Sequence, residues 1–195
     1  MKAVEATRAT DEELVAAILD GETALYTDLV QRYQGRLVNY LNRFLGNVDE
    51  SQELSQEVFL KVYRALDRYN PTYRFSTWLF RVAKNAAIDL LRKRRLKLVP
   101  MQRVGFDGET REREFPSEER DPYRALRNLE RRDAIGAAID GLKDEYRELI
   151  QLRHFAEMTY EEIAEFKGMP LGTVKNKLFR GRRMLKARLA EYLTD

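Results

Sequence analysis

The residues of this sequence most capable of chemistry are cationic and lie in a segment near the C-terminus. From Pro170 to Arg188 there are seven basic side chains and no acidic one. On a helix, at about 100° per residue, Asn176, Arg180 and Arg183 fall opposite an apolar stripe. Arginine and asparagine can hydrogen-bond base edges in the DNA major groove, and lysine can neutralise phosphates. The side chains that we predict to face duplex DNA are Lys175, Asn176, Lys177, Phe179, Arg180 and Arg183.

A basic run of this kind also fits a simpler interpretation, a solvated helix face that binds nothing. The residues before it favour a specific DNA-binding motif instead. Thr159 and Glu162 have the spacing of a capping box, and Gly168 can supply a turn. Pro170 can open the next helix, because the first turn needs no amide from it. The segment Met158 to Leu189 therefore predicts a helix-turn-helix whose second helix is the basic one.

A second cationic segment carries the only tryptophan. Between Trp78 and Arg95 there are six basic side chains and one acidic one. On a helix, the stripe that faces the core is Leu79, Val82, Ala86 and Leu90, and the opposite side carries Trp78, Arg81, Asn85 and Arg92. An indole, an amide and arginines along one line could stack on an unpaired base, hydrogen-bond its edge and hold the backbone. The periodicity leaves open whether Trp78 does this or lies in the core.

An acidic helical face precedes this segment. Asp49, Glu53 and Glu57 recur every four residues, so they could gather Mg²⁺ for phosphodiester chemistry. No base or nucleophile accompanies them, and an exposed acidic face is usually solvated or met by a basic partner. His154 is the only histidine and has no companion ligands at metal-binding spacing, so we assign it a structural role. The sequence therefore predicts no metal site.

The composition narrows the function classes. The chain has no cysteine, which excludes disulfides, thiolate nucleophiles and cysteine-ligated zinc. With 44% hydrophobic and 34% charged residues, it is typical of a soluble globular protein. It has no run of about 18 apolar residues, and its N-terminus lacks the apolar stretch of a signal peptide. We therefore expect a cytoplasmic protein with no cofactor, no small-molecule substrate and no membrane insertion.

Apolar spacings of three and four residues predict an all-α fold, in two small helical domains joined by a flexible linker. A short helix is expected from Asp11 to Leu19. A longer one carries an apolar stripe from Tyr26 to Phe44 and ends at Gly46-Asn47, residues that terminate helices. The next helix stops before Asn70-Pro71.

The helix that carries the tryptophan is expected to open at Ser76 or Thr77, because either hydroxyl can cap a first turn, and to extend to about Arg95. Phe75 and Phe80 are assigned to packing. Four tyrosines at helical spacing with leucines are assigned to the core, namely Tyr33, Tyr40, Tyr63 and Tyr69.

Helical periodicity is lost after residue 96. Prolines and glycines punctuate the next 30 or so residues, which carry few large apolar side chains, a composition typical of a linker. Periodicity returns near Leu129 and continues to Leu193. The predicted organisation is a domain at residues 1–96, a linker at 97–128 and a second domain at 129–195.

Three stretches carry a family resemblance, DESQELSQEVFLKVYRAL, FSTWLFRVAKNAAIDLLRKRR and EEIAEFKGMPLGTVKNKLFRGRRML. They resemble the extracytoplasmic-function (ECF, group IV) sigma factors of the sigma-70 family. The resemblance spans nearly the whole chain outside the linker. It implies a factor that binds core RNA polymerase, directs it to specific promoters and promotes DNA melting in transcription initiation, without catalysis of its own.

The resemblance also implies roles for individual residues. Sigma region 2 would dock on the coiled coil of the polymerase largest subunit through Glu53, Gln56 and Glu57, and melt the minus-ten element. Sigma region 4 would meet the polymerase flap and read the minus-thirty-five element through Lys175, Asn176, Phe179 and Arg180. Members of this family are commonly held inactive by an anti-sigma factor, so such a protein is a further expected partner. The predicted minus-ten residues are Trp78, Arg81, Asn85, Arg92, Arg94 and Arg95.

Two other function classes stay open from the residues alone. A conventional helix-turn-helix regulator would bind duplex DNA and recruit or block polymerase without replacing a sigma subunit. The basic helix with its tryptophan argues against it, because a duplex reader has no use for a base-stacking platform. A magnesium-dependent nuclease would use the acidic face, and DNA cleavage in the presence of Mg²⁺ would reveal it.

Overall fold

A computed structural model describes residues 9–97 and 122–190, and all regular structure within these ranges is helical. The all-α prediction is therefore confirmed. Two 3-10 turns, Thr23–Leu25 and Leu66–Arg68, lie between longer helices. No helix in the described ranges is both long and apolar enough to span a bilayer. The α-helices are α1 (Asp11–Leu19), α2 (Tyr26–Leu45), α3 (Val48–Arg64), α4 (Phe75–Lys97), α5 (Pro122–Asp140), α6 (Asp144–His154), α7 (Tyr160–Lys167) and α8 (Leu171–Arg188).

The described residues form two compact units. The first takes its residues from Met1–Pro100 and Gln151–Leu171, and the second from Met101–Ile150 and Gly172–Asp195. Periodicity gave no indication that residues 151–171 pack with the N-terminal helices. The boundaries at 1–96, 97–128 and 129–195 stay a prediction.

The core of the first unit is built from the apolar stripes of α2, α3 and α4. Leu37, Val62 and Phe80 are fully shielded from solvent, and each such burial contributes about 1.5–3 kcal/mol. The ring of Tyr40 meets Phe80 edge to face, with centroids 5.3 Å apart. Phe75 and Phe80 are packing residues, as predicted. The other large buried residues of these helices are Leu29, Tyr33, Leu41, Leu54, Val58, Phe59 and Leu79.

Three of the four tyrosines assigned to the core are buried, and the fourth assignment is wrong. Tyr63 is 42% exposed. It lies on the outward side of α3, away from the stripe of Val58 and Val62, and its ring contacts Tyr26 at a centroid distance of 4.8 Å. Helical spacing to leucines was an insufficient criterion, because both sides of a helix repeat every three to four residues.

Local capping sets the ends of the first helices. Thr10 and Glu13 form a capping box at α1, in which the Glu13 amide donates to Thr10 Oγ1 at 3.2 Å. Gly46 ends α2 with a φ of +66°, a conformation that glycine adopts without strain. Asn47 then caps α3, since its Oδ1 accepts from the Glu50 amide at 3.1 Å. The predicted end of α2 and the α1 bounds are confirmed.

The predicted start of α4 is wrong. The helix begins at Phe75, so Ser76 and Thr77 lie inside its first turn, where both are buried. Instead, the backbone amides at the start of α4 donate hydrogen bonds to carboxylates that are distant in sequence. Glu12 Oε1 accepts from the Phe75 amide at 3.2 Å, and Glu165 Oε1 accepts from the Arg74 amide at 3.0 Å. A negative charge at a helix N-terminus is stabilising because the first amides have no partner within the helix.

The second unit also departs from the prediction. Helix α5 begins at Pro122, inside the predicted linker, where proline fits the first helical position because no amide is required there. Lys97 is the last residue of α4, and residues 98–121 of the predicted linker lie outside the described residues. On α8, a Cβ added to Gly181 would lie 3.4 Å from Ile150 Cγ1, so α6 and α8 approach closely there.

Candidate nucleic-acid interface

The outer face of α8 presents the side chains predicted to read duplex DNA. Val174 and Leu178 are buried, which fixes the orientation of the helix. Leu171 and Leu185, from the same predicted stripe, are half-buried. Phe179 is 68% exposed, the largest exposed fraction among the large apolar side chains of the described residues. The other exposed members of the predicted set are Lys175, Asn176, Arg180 and Arg183.

Lys177 differs from the rest of this set. It is half-buried, and its Nζ lies 2.5 Å from Glu145 Oε2 on α6. The hydrogen bond from Lys177 holds the pKa of the Glu145 carboxyl below its usual range. Within the second unit, its ammonium therefore already has an anionic partner. On the acid side the pair is lost as the pH falls through this lowered pKa, so at neutral pH the carboxylate is charged and Lys177 is less available to a phosphate than Lys175.

This difference predicts unequal effects of two lysine substitutions. Lys175→Ala is expected to reduce the slope of log affinity against log salt concentration by about 1, because one phosphate contact is lost. Lys177→Ala is expected to reduce it less, since the lysine gives up an ion pair to reach DNA. Fluorescence anisotropy with a labelled duplex at several salt concentrations checks both, and equal slopes for the two variants would contradict the assignment.

The segment before α8 has the predicted local structure. Thr159 and Glu162 form the capping box of α7, with the Glu162 amide 3.1 Å from Thr159 Oγ1. Gly168 ends α7 with a φ of +62°. Helix α8 then begins at Leu171, immediately after Pro170. The chain order is helix, three-residue turn, helix, as the motif requires.

The sequence left open whether Trp78 on α4 is exposed for base stacking or buried in the core, and the structure shows neither extreme. It is half-buried, and its ring is 5.4 Å from Tyr69 and 6.0 Å from Phe75, centroid to centroid. It is therefore the partly exposed member of an aromatic cluster. This arrangement holds the indole in a fixed orientation while part of the ring stays accessible for stacking.

Apart from Trp78, the side chains of α4 that we predict to bind the minus-ten strand fall into two groups. Asn85, Arg92 and Arg95 are exposed, and the ion pair of Arg92 with Asp89 is long, at 3.9 Å, between two exposed side chains. Such a pair contributes little. Arg94, by contrast, pairs with Glu50 of α3 at 2.7 Å.

Arg81 is the other arginine of this set that already has a partner within the protein. Its Nη2 donates to the Glu165 carbonyl at 2.9 Å, at the C-terminal end of α7. Arg81 and Arg94 were both predicted to bind DNA, and both make contacts within the first unit that the sequence did not reveal.

The acidic face of α3 has an apolar continuation that the sequence analysis missed. Glu53, Gln56 and Glu57 are exposed, as predicted. Leu60, one turn further along the same side, is 56% exposed. The sequence did contain an indication that Leu60 is exposed, because this residue falls outside the buried stripe of Leu54, Val58 and Val62. Among residues 9–97 and 122–190, no group of three or more acidic or histidine side chains is arranged to hold a metal ion.

Comparisons with known proteins bear on both basic helices. The family model Sigma-70 region 2 matches residues 29–97, which include α4. The family model Sigma-70, region 4 matches residues 132–185, which include the turn and most of α8.

Single proteins match over most of their length. The chain is 32% identical to the ECF RNA polymerase sigma factor SigW of Bacillus subtilis, over 91% of this chain and 95% of that one. Among solved structures, CnrH in complex with the cytosolic domain of CnrY has a TM-score of 0.64 at 24% identity, covering 94% of this chain and 99% of that one. RpoE of Bartonella quintana, crystallised with the anti-sigma factor NepR, has a TM-score of 0.58 at 19% identity, covering 85% and 96%. Each of these two solved structures is similar in fold to this chain. The sequence similarity to SigW shows that this chain belongs to the ECF RNA polymerase sigma factors.

Proposed function

We propose that this protein binds core RNA polymerase, directs it to specific promoters and promotes melting of the DNA, and that it catalyses no reaction itself. The observation that carries the proposal is the pair of basic helices α4 and α8. One presents a half-exposed tryptophan beside an amide and arginines, and the other presents arginine, asparagine and lysine around an exposed phenylalanine. The first set suits unpaired bases and the second suits a duplex major groove.

The proposed organisation follows from these two sets. Residues 1–96 act as region 2, residues 97–128 as a linker and residues 129–195 as region 4. The exposed side chains of α8, led by Arg180 and Asn176, contact the minus-thirty-five element. Trp78 and Asn85, with Arg92 and the neighbouring cations, hold the minus-ten strand after it unpairs.

The proposed partners are core polymerase, promoter DNA and an anti-sigma protein. The acidic face of α3 suits a basic polymerase surface, and Leu60 supplies an apolar anchor beside Glu57. The proposal of an anti-sigma partner is supported by the similarly folded RpoE, which was crystallised with one. We propose that the protein works in the cytoplasm, where polymerase and promoters are.

Binding to core polymerase is the first test of this function. Glu57→Ala is expected to weaken the complex by about 0.2–1 kcal/mol and to reduce its salt dependence, because an exposed carboxylate acts mainly through screened charge. Titration of labelled protein with purified core polymerase measures the affinity. Glu22→Ala removes an exposed acid far from α3 in sequence and serves as the control. If the two variants bind equally, α3 is not the docking surface.

A further inference from the structure

The half-buried indole of Trp78 packs against two other rings. Tyr69 lies 5.4 Å from it and Phe75 lies 6.0 Å from it, centroid to centroid. The Tyr69 and Phe75 rings also meet each other, edge to face, at 5.8 Å. Both of them are buried. Aromatic contacts at these distances are favourable, so the orientation of the indole depends on where Tyr69 and Phe75 are held.

Both supporting residues contact the same carboxylate, that of Glu12 on α1. Glu12 Oε1 accepts from the Phe75 amide at 3.2 Å and lies 3.5 Å from the Tyr69 hydroxyl oxygen. The two contacts join residues that are 63 and 57 positions apart in the chain. The Phe75 amide lies in the first turn of α4, where amides have no partner within the helix. Glu12 therefore fixes the start of α4 and contacts the ring beside it.

The Tyr69 hydroxyl makes a second contact. It donates to the Tyr73 carbonyl at 2.5 Å, which closes the turn between Tyr69 and α4. Burial raises the pKa of the Tyr69 hydroxyl, and the negative charge of Glu12 raises it further, so the group is protonated and able to donate at neutral pH. The Tyr69 ring therefore cannot leave the cluster without breaking a hydrogen bond.

Helix α1 is itself attached to α2, which makes Glu12 a fixed support. Asp11 Oδ1 accepts from Arg32 Nη1 at 2.8 Å, and Asp11 Oδ2 accepts from the Tyr33 hydroxyl. A carboxylate on an anchored helix restrains its partners more than one on a loop does. The inner side of α1 is buried through Leu14, Val15 and Ile18.

We propose that Glu12 is a positioning residue for promoter opening, which holds Tyr69 and Phe75 against Trp78 so that the indole already has the orientation for stacking on an unpaired base. The inference rests on the proposed function, since it assumes that Trp78 stacks on that base. A side chain that is ordered before binding loses less conformational entropy on binding than one that must first be ordered. Glu12 acts through these two residues and does not contact the DNA.

The orientation of the indole can be measured without DNA. Trp78 is the only tryptophan of the chain, so emission excited outside the tyrosine absorption band reports this indole alone. In Glu12→Ala, quenching of this emission by acrylamide is expected to become more efficient, because the indole is less restrained and more accessible. The decay of the emission anisotropy is expected to gain a faster component, which reports local motion of the ring.

The effect on function is measured with core polymerase, on a promoter fragment from which the unchanged chain gives a run-off transcript. Glu12→Ala is expected to slow the appearance of permanganate-reactive thymines by about three- to tenfold, which corresponds to the cost of ordering one side chain on binding. Glu12→Gln keeps the side-chain length and an oxygen that can accept from the Phe75 amide. It is expected to behave like the unchanged chain in both measurements.

Glu13→Ala is the matched control, because it removes the same charge from the next residue of α1. Glu13 Oε2 accepts from the Thr10 amide at 2.7 Å, so this variant weakens the cap of α1. It should lower the midpoint of thermal unfolding and leave both quenching and opening unchanged. Tyr69→Phe is an independent variant that keeps the ring and removes the hydroxyl. It is expected to change quenching and opening in the same direction as Glu12→Ala.

The outcomes separate the inference from the proposed function. Glu12 is not a positioning residue if Glu12→Ala leaves opening unchanged, if it slows opening with no change in the emission of Trp78, or if Glu13→Ala has the same effects. In each of these cases the unchanged chain still opens the promoter, so the proposed function stands. If the unchanged chain opens no promoter with a core polymerase that a primary sigma factor activates, the proposed function fails, and this inference fails with it.

Discussion

Replacing Arg180 by alanine is expected to weaken recognition of the upstream promoter element by about 1–3 kcal/mol, the effect of losing one good contact to a base edge. Arg180 is exposed on α8, and Val174 and Leu178 orient that helix from the buried side. The loss should be confined to sequences that carry the preferred bases. Binding of the protein to a selected duplex and to a scrambled duplex measures this preference.

Lys186→Ala is the matched control for Arg180→Ala. It removes one positive charge from an exposed position of the same helix. A lysine that acts on phosphates should weaken binding to both duplexes to a similar extent. If Arg180→Ala also weakens both equally, Arg180 contacts the backbone and does not read a base.

Replacing Trp78 by alanine is expected to slow promoter opening, because stacking of an unpaired base on an aromatic ring contributes about 1–3 kcal/mol. Duplex binding by α8 should be nearly unchanged. Permanganate reactivity of unpaired thymines in a complex with core polymerase follows the opening. Trp78→Phe keeps a ring against Tyr69 and Phe75 and is expected to retain much of the activity.

The control for Trp78→Ala must separate stacking from packing, since the indole is part of the Tyr69 and Phe75 cluster. Phe44→Ala removes a half-buried ring that packs on Tyr40, on a helix that carries none of the predicted DNA-binding residues. Both variants should lower the midpoint of thermal unfolding, but only Trp78→Ala should reduce permanganate reactivity. Equal reactivity of Trp78→Ala and the unchanged protein would assign Trp78 to packing alone.

The parts of the structure that depend on neighbours in sequence were predictable. The capping box of Thr159 and Glu162, the left-handed Gly168 and the buried Val174 and Leu178 follow from spacings of three and four residues. The orientation of α8 therefore followed from the residues alone. Asn85 on α4 was placed on the exposed side for the same reason.

The parts that depend on distant residues were not predictable. Glu12 and Glu165 lie 63 and 91 residues from the amides that they accept at the start of α4. Neither periodicity nor composition can reveal such a pairing between distant residues. For this reason Ser76 or Thr77 was the expected cap of α4. The same holds for Arg94 with Glu50 and for Lys177 with Glu145. An arginine or lysine predicted to face DNA can have an acidic partner that only the fold brings near.

The most direct test of the central claim is initiation of transcription by purified core RNA polymerase with this protein as its only specificity subunit. With a library of genomic promoter fragments as templates, we expect run-off transcripts that begin at defined positions. Omission of the protein should abolish them, and a primary sigma factor in a parallel reaction shows that the core is active. If that core starts no RNA on any template with this protein, while the parallel reaction succeeds, the assignment of α4 and α8 to promoter opening and recognition is wrong.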